Sequence, residues 1–402
     1  MNKTYLIIFT VLLLSGCGKD DLSNIQSDYF IKFYGNSGAD KGYDVKQTSD
    51  GGYILIGSTY AEETDDDIII IKTDKFGNKK WQIENIGDSL TDVGNRIIEH
   101  ENSFYFMGTN QISSNNSDII IGNIDNNGNI SWIKNIGGAG IQEGKSFIID
   151  SDNNFVIVGS TNIVPPYGDT LANNISNIFM LKATISGDSI TSSSLYGPNL
   201  NLYDDYGQDI IQKTDGNYLI AANSQSNSTN KTLYKAMFVE MATNFSIVKS
   251  LVPNLSLETI VKSILLTSNQ ELYFIGSQRQ TSVQITDIFL AKVNSNLSAL
   301  EWSKTFGGEN NDIGYGIVEC DGGLAFIGTS DSFDNNNDIY FQKTDTEGNP
   351  LETYQIIGGT GNEEGRNLYA TTDNGFIIVG INSFDSNADI ALIKTDESGL
   401  LK

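Results

Sequence analysis

A glycine that closes a short apolar run returns at nearly constant spacing along this chain. It stands at Gly57, Gly108, Gly159, Gly276, Gly328 and Gly380, with Ala222 in the fourth place, and the steps between neighbours are 51, 51, 63, 54, 52 and 52 residues. The stretch from Phe306 to Gly359 shows what lies between. Gly314 to Glu319 reads as a strand, Cys320-Asp321-Gly322-Gly323 as a turn and Leu324 to Thr329 as a second strand. A polar loop, Ser330 to Asn337, precedes a third strand over Asp338 to Lys343. The turn Thr344 to Asn349 then leads to a fourth strand over Leu351 to Ile357. Short strands at even spacing, punctuated by Gly and Asp turns, indicate an all-β chain. Four strands in a period near fifty residues indicate a propeller blade.

The first strands share a Gly-x-x-apolar frame, from Gly42 to Val45, Gly94 to Ile97, Gly144 to Phe147, Gly207 to Ile210, Gly314 to Ile317 and Gly365 to Leu368. Third strands such as Asp67 to Lys72 and Asp287 to Lys292 are apolar on both faces, as strands sandwiched between neighbouring blades should be. Fourth strands carry Trp81, Trp132 and Trp302, expected to pack between blades. The seventh unit has no fourth strand, and an orphan strand, Phe30 to Gly35, precedes the first unit with Phe30 where the tryptophan belongs. The expected fold is a seven-bladed, four-stranded propeller over residues 28–402, in which the N-terminal strand completes the last blade and hides the sheet edges.

Residues 1–16 read as a signal segment, with Lys3 followed by an apolar run, Tyr5 to Leu14, too short for a typical spanning helix. Leu14-Ser15-Gly16-Cys17 resembles a bacterial lipobox, which makes Cys17 the expected lipidation site and acyl chains the membrane anchor. Residues 17–27 form a short acidic linker, and Lys19-Asp20-Asp21 resembles the surface-export signal of Bacteroidota lipoproteins. The expected location is the outer membrane, facing outward. Beyond Cys17 only Cys320 remains, so the mature domain has no intrachain disulfide.

The frame GG…DGG…GT…D…KTD..GN..W, from Tyr29 to Lys402, resembles the propeller repeats of secreted proteins and lipoproteins of the Bacteroidota. The resemblance implies a fold and an envelope location, not a reaction. The unit from Tyr203 to Pro253 departs furthest, lacking the tryptophan and the TD..GN turn.

Function has to come from the loops and the charge. A net charge of −25 excludes nucleic acid as a partner, because phosphate would be repelled. The single histidine, His100, lies in a turn on the face opposite the candidate loops, which excludes Ser-His-Asp and His-rich metal chemistry. No P-loop or dinucleotide fingerprint stands in a strand-to-helix context. Three features fall on one face. Acidic residues two positions before the first-strand glycine (Asp40, Asp92, Asp205, Asp312 and Glu363) either hold a cation at the channel mouth or cap backbone N–H groups in their own turns; their regular recurrence favours capping. Asp331, Asp334, Asn336 and Asp338, Asp385, Asn387 and Asp389, and Asp65 to Asp67 form Asp/Asn-rich loops with oxygen ligands suited to Ca²⁺, without the terminal bidentate glutamate of an EF-hand. The third is an insertion with Tyr167, facing a loop with Tyr203, Asp204, Asp205 and Tyr206, a candidate platform for a sugar ring or an envelope protein. The expectation is a non-enzymatic, lipid-anchored binding or interaction module. The alternatives are a carboxylate-dependent polysaccharide-degrading enzyme and a purely structural subunit of an outer-membrane complex.

Overall fold

The computed structural model describes residues 27–36, 38–61, 65–87, 90–162, 175–197, 203–225, 233–255, 257–280, 285–333, 336–384 and 387–401. The expectations placed on Cys17, Tyr167, Asp334 and Asp385 fall outside these residues. The described chain is all strand, arranged as seven antiparallel sheets of four, one per repeat. Blade 1 runs Lys41–Gln47, Tyr53–Ala61, Asp65–Thr73 and Lys79–Ile86 from the axis outward, and blades 2 to 6 repeat this order. In blade 7 the strands Asn362–Ala370, Phe376–Phe384 and Asn387–Thr395 are completed by Phe30–Tyr34, which pairs antiparallel with Asn387–Thr395, Phe30 opposite Lys394 and Tyr34 opposite Ile390.

The core lies between blades, not within them. Each sheet is apolar on both faces and buries them against its two neighbours. Ile54, Ile56, Ile68 and Ile70 of blade 1, for example, pack with Ile97, Phe104 and Phe106 of blade 2. The outer strands add a lock. The rings of Trp81, Trp132 and Trp302 lie against Gly128, Gly187 and Gly348, each in the third-to-fourth turn of the next blade, within about 3 Å of where a Cβ would stand. Phe30 does the same to Gly77 of blade 1, so the closing strand engages its neighbour as any other outer strand does. These turns need a left-handed residue (φ 74° at Gly77, 86° at Gly128), and an aromatic plate fills the space a side chain would take.

The lysine of the KTD turn also has a structural task. Lys72, Lys182 and Lys394 are buried at the ends of third strands and reach an acid in the first-to-second turn of their own blade: Asp50 at 2.9 Å, Asp150 at 3.0 Å and Asp373 at 3.0 Å. Blade 4, where the motif fails, keeps the pair with its charges exchanged: Glu240 takes the lysine position and meets Lys213 at 2.9 Å.

One expected strand is shorter than its sequence suggests. Leu351 to Ile357 forms a ladder only over Gln355–Ile357. Pro350, which lacks an N–H, precedes the stretch, and Tyr354 instead packs on Tyr340 and Phe333, with centroids 5.2 and 4.8 Å apart. Side-chain stacking replaces ladder bonds there.

Deleting Asp28 to Gly35 would expose the edge of Asn387–Thr395 and uncover Gly77. The deleted protein is expected to be insoluble or partly unfolded, and an unchanged melting temperature would show that the closure carries no stability.

Candidate functional site

The first-strand and second-strand glycines sit directly opposite one another, Gly42 with Gly57 and Gly144 with Gly159. A Cβ on Gly57 would lie 1.9 Å from the carbonyl oxygen of Lys41, and one on Gly159 would lie 1.8 Å from that of Glu143. The two backbones approach too closely there for any side chain. Immediately after this contact the register slips by one residue, and it does so in all seven innermost strands: between Gly42 and Asp44, Gly94 and Arg96, Gly144 and Ser146, Gly207 and Asp209, Val261 and Ser263, Gly314 and Gly316, and Gly365 and Asn367. A β-bulge re-aims the extra residue. The skipped residues are Tyr43, Asn95, Lys145, Gln208, Lys262, Tyr315 and Arg366, one per blade at one level of the axial channel.

Contacts trace the ring. The Lys262 ammonium lies 5.8 Å from the centroid of Tyr315, and the Arg366 guanidinium 4.8 Å from Tyr315 and 6.0 Å from Tyr43. Asn95 donates to the carbonyl of Gly144 at 2.7 Å. The mouth above holds Glu143, bonded to Lys145 at 3.0 Å, and Glu364, bonded to Arg366. A polar groove of about 330 Å³ lined by Thr91, Gln111 and Asn116 runs up to Asn95, Glu143 and Lys145.

Below the ring is a polar floor. Asp209 is buried and accepts from Ser146 Oγ (2.7 Å), Arg96 (3.1 Å), Ser263 Oγ (2.9 Å) and the backbone N–H groups of Ile210 and Ile264 (3.0 and 3.1 Å), linking blades 2 to 5. Asp44 accepts from Ile97 N–H at 3.0 Å and Asn367 Nδ2 at 2.7 Å, linking blades 7, 1 and 2. Lys46, 3.7 Å from Asp44, lies over Tyr369, and its burial lowers its pKa against the pull of Asp44.

The expected site residues take the following positions. Asp204 accepts from the N–H of Ser176 at 2.9 Å, and Asp205 is fully buried with its N–H bonded to the Ser176 carbonyl. Ser176 therefore abuts the loop before the first strand of blade 4; the insertion with Tyr167 that precedes it lies outside the described residues. Tyr206 is half-buried at the mouth against Tyr234, centroids 5.9 Å apart, and burial raises the pKa of both phenols. Tyr203 is half-buried. The recurring acids cap: Asp40 accepts from Asn36 N–H, Asp312 from Gly308 N–H (both 2.8 Å) and Glu363 from Gly359 N–H (3.1 Å). Gln142 makes the same contact to Gly138 at 2.8 Å, so the turn requires an acceptor rather than a charge. Burial is the main reason the carboxyls of Asp40 and Asp312 titrate above their usual range.

In the Asp/Asn loops, Asp331 accepts from Asn311 N–H, Asn336 donates to Gly359 O, and Asp338 is buried beside Gly358. Asn387 is exposed, and Asp389 shares the space beside Gly35 with Asp40. Among the described residues no three His, Cys, Asp or Glu side chains gather as a metal site. His100 lies on the far face, 2.8 Å from Asn153. The axial ring, Tyr234 and the floor were missed by sequence reasoning. Only the fixed offset from the first-strand glycine could have located the ring.

An apolar cleft of about 440 Å³ lined by Ile31, Phe33, Ile357, Leu400 and Leu401 opens between blades 6 and 7; its lining reaches the capping pair Gly359 and Glu363 but none of the residues of the axial ring.

No family model matches the chain, and no curated protein matches it by sequence. Two solved structures of a PL25 polysaccharide lyase, an ulvan lyase, match its fold. The free lyase gives a TM-score of 0.59, and the lyase bound to -[GlcA(1-4)Rha3S]- gives 0.56. Each match has 9% identity and covers 91% of this chain and 96% of the other. At that identity the likeness establishes the propeller alone. It still corrects the expectation of a non-enzymatic interaction module, because the matched propellers are those of a polysaccharide-degrading enzyme, and the enzyme alternative is the better supported.

Two outcomes follow from this geometry. Asp209→Ala would take the buried acceptor from half-buried Arg96, from Ser146 and Ser263 and from two backbone N–H groups, and should cost about 3 kcal/mol in urea unfolding; a loss below about 1 kcal/mol, the scale of an exposed pair, would show that the floor is not a structural hub. Burial pushes the Cys320 thiol up to about 11. In a Cys17→Ser background its alkylation by iodoacetamide near neutral pH should run roughly a hundredfold slower than that of free cysteine. A rate equal to free cysteine would contradict the burial.

Proposed function

We propose that this protein is a glycan-active enzyme that cleaves a polysaccharide at the axial mouth of the propeller. The observation that carries the reading is the set of seven aligned bulges. They turn one side chain per blade toward the axis and place tyrosines, cations and amides at a single level beneath a rim of Tyr206, Tyr234, Glu143 and Glu364. Aromatic faces with a few convergent polar groups suit a sugar ring, and carboxylates at the rim give the site groups for proton transfer. The fold shared with the ulvan lyase supports the same class of substrate.

The location we propose is the outer membrane, with Cys17 lipidated and the propeller facing outward; Leu14 to Cys17 and Lys19-Asp20-Asp21 support it, as does the likeness of the repeats to those of Bacteroidota lipoproteins. A polysaccharide-degrading enzyme placed there meets polymers too large to enter the cell.

The test is a depolymerisation screen over neutral, uronate-containing and sulfated polysaccharides, read by product size and new chain ends. At least one polymer should be shortened, and Tyr206→Ala should reduce that rate by at least about tenfold, a loss of roughly 1.4 kcal/mol of transition-state binding. Retention of a polysaccharide without shortening of any would overturn the reading.

A further inference from the structure

The throat gathers positive charge in an acidic protein. Lys46, Arg96, Lys145, Lys262 and Arg366 all project from innermost strands, in a chain whose formal charge is −25. Four of the five are neutralised: Lys46 by Asp44, Arg96 by Asp209, Lys145 by Glu143 and Arg366 by Glu364. Lys262 is different. No described carboxylate pairs with it, and its nearest charged neighbours, Lys145 and Arg366, are cations. It is half-buried, and burial together with those like charges disfavours its charged form. An unpaired ammonium in a half-buried site works against stability, and fifty acidic side chains were available in the sequence to pair it.

Resting on the glycan reading above, we infer that Lys262, Tyr315 and Arg366 form a subsite for an oxyanion carried on a sugar ring, so that the substrate is an acidic polysaccharide. The two cations lie over the ring of Tyr315, Lys262 at 5.8 Å and Arg366 at 4.8 Å from its centroid. The ring holds the cations one tyrosine apart, so an oxyanion entering from the mouth meets both, and the sugar that carries it stands at the mouth. The guanidinium offers a fork of donors to a carboxylate or sulfate, and the ammonium a point charge. An incoming anion supplies the counter-charge that the fold withholds from Lys262. The protein's overall negative field opposes a polyanion at long range, but at physiological salt it decays over about 8 Å, and the throat acts within that distance.

The test uses the full chain and three probes: polygalacturonate (carboxylate), dextran sulfate (sulfate) and unmodified dextran (neutral), with binding measured by titration at physiological salt, where the repulsive field of the protein is screened. At least one acidic probe should bind and dextran should not. Binding of polygalacturonate alone assigns a carboxylate, of dextran sulfate alone a sulfate, and of both an oxyanion without distinction. Lys262→Met should weaken the bound probe at least about tenfold, while Lys249→Met, the same charge change on an exposed outer strand, should leave it unchanged. Lys262→Met should also melt at the same temperature as wild type or higher, because an unpaired charge is removed; a structural lysine would give a lower value. Equal weakening by both variants, or equal binding of dextran, overturns the inference. If the screen finds a neutral polysaccharide cut at an undiminished rate by Lys262→Met, the anionic subsite fails and the glycan reading stands. If no polysaccharide is cut and no probe is bound, both fail.

Discussion

Two backbones that approach too closely for a Cβ set the plan of this molecule. In six of the seven blades a glycine in the second strand faces the innermost strand where even a methyl group would strike a carbonyl oxygen. That contact is followed at once by a bulge, and the bulge decides which residue of the innermost strand reaches the axis. The glycine repeat is therefore more than a ruler of period. It records a backbone geometry that, copied seven times and closed into a ring, assembles the axial ring of side chains from residues about fifty positions apart. Blade 4 sets the limit of the point: Ala222 replaces the glycine and the bulge between Gly207 and Asp209 is kept, so the bulge itself does not require the missing Cβ.

The axis is organised in levels of different character. The floor is held by two buried aspartates: Asp44 and Asp209 bind side chains and backbone N–H groups from six of the seven blades. Blade 6 has Gly316 at this level, and a side chain there would strike Asn367. The ring above is less densely bonded: Lys262 has no acidic partner among the described residues, and the ring of Tyr315 lies beside it. A floor tied to its neighbours by hydrogen bonds, beneath a ring with unmet electrostatic demand, is how a site is held in place without being filled. The stability of the fold comes from elsewhere, chiefly the apolar interfaces between blades and the aromatic plates on the turn glycines.

The architecture was legible because every device that builds it recurs. The glycine spacing gave the blade count, and Phe30, aligned with the tryptophans, gave the closure. The capping role of Asp40, Asp312 and Glu363 followed from recurrence, since a requirement common to most blades is a requirement of scaffolding. The throat was not legible for the opposite reason. Tyr43, Asn95, Lys145, Gln208, Lys262, Tyr315 and Arg366 share a register position and no chemistry, so no motif marks them. Their inward turn depends on a register shift that leaves no trace in apolar periodicity. The isolation of Lys262 depends on which acids its neighbours do not carry. The expectation of a non-enzymatic module rested on missing local signatures and on a lone histidine, tests that cannot detect a centre assembled one residue per blade. The short outer strand of blade 6 was misjudged because the stacking of Tyr354 on Tyr340 and Phe333 is a contact in space rather than a pattern in sequence.

The central claim is that the axial throat, not the rim loops or the outer edge, receives the ligand. Its most direct test is a crystal structure of the protein with an acidic oligosaccharide bound. The account predicts a sugar ring at the axial mouth with its oxyanion bound by Lys262 and Arg366 beside Tyr315. An oligosaccharide seated in the outer cleft between blades 6 and 7, or on an outer strand with the throat empty, would contradict it.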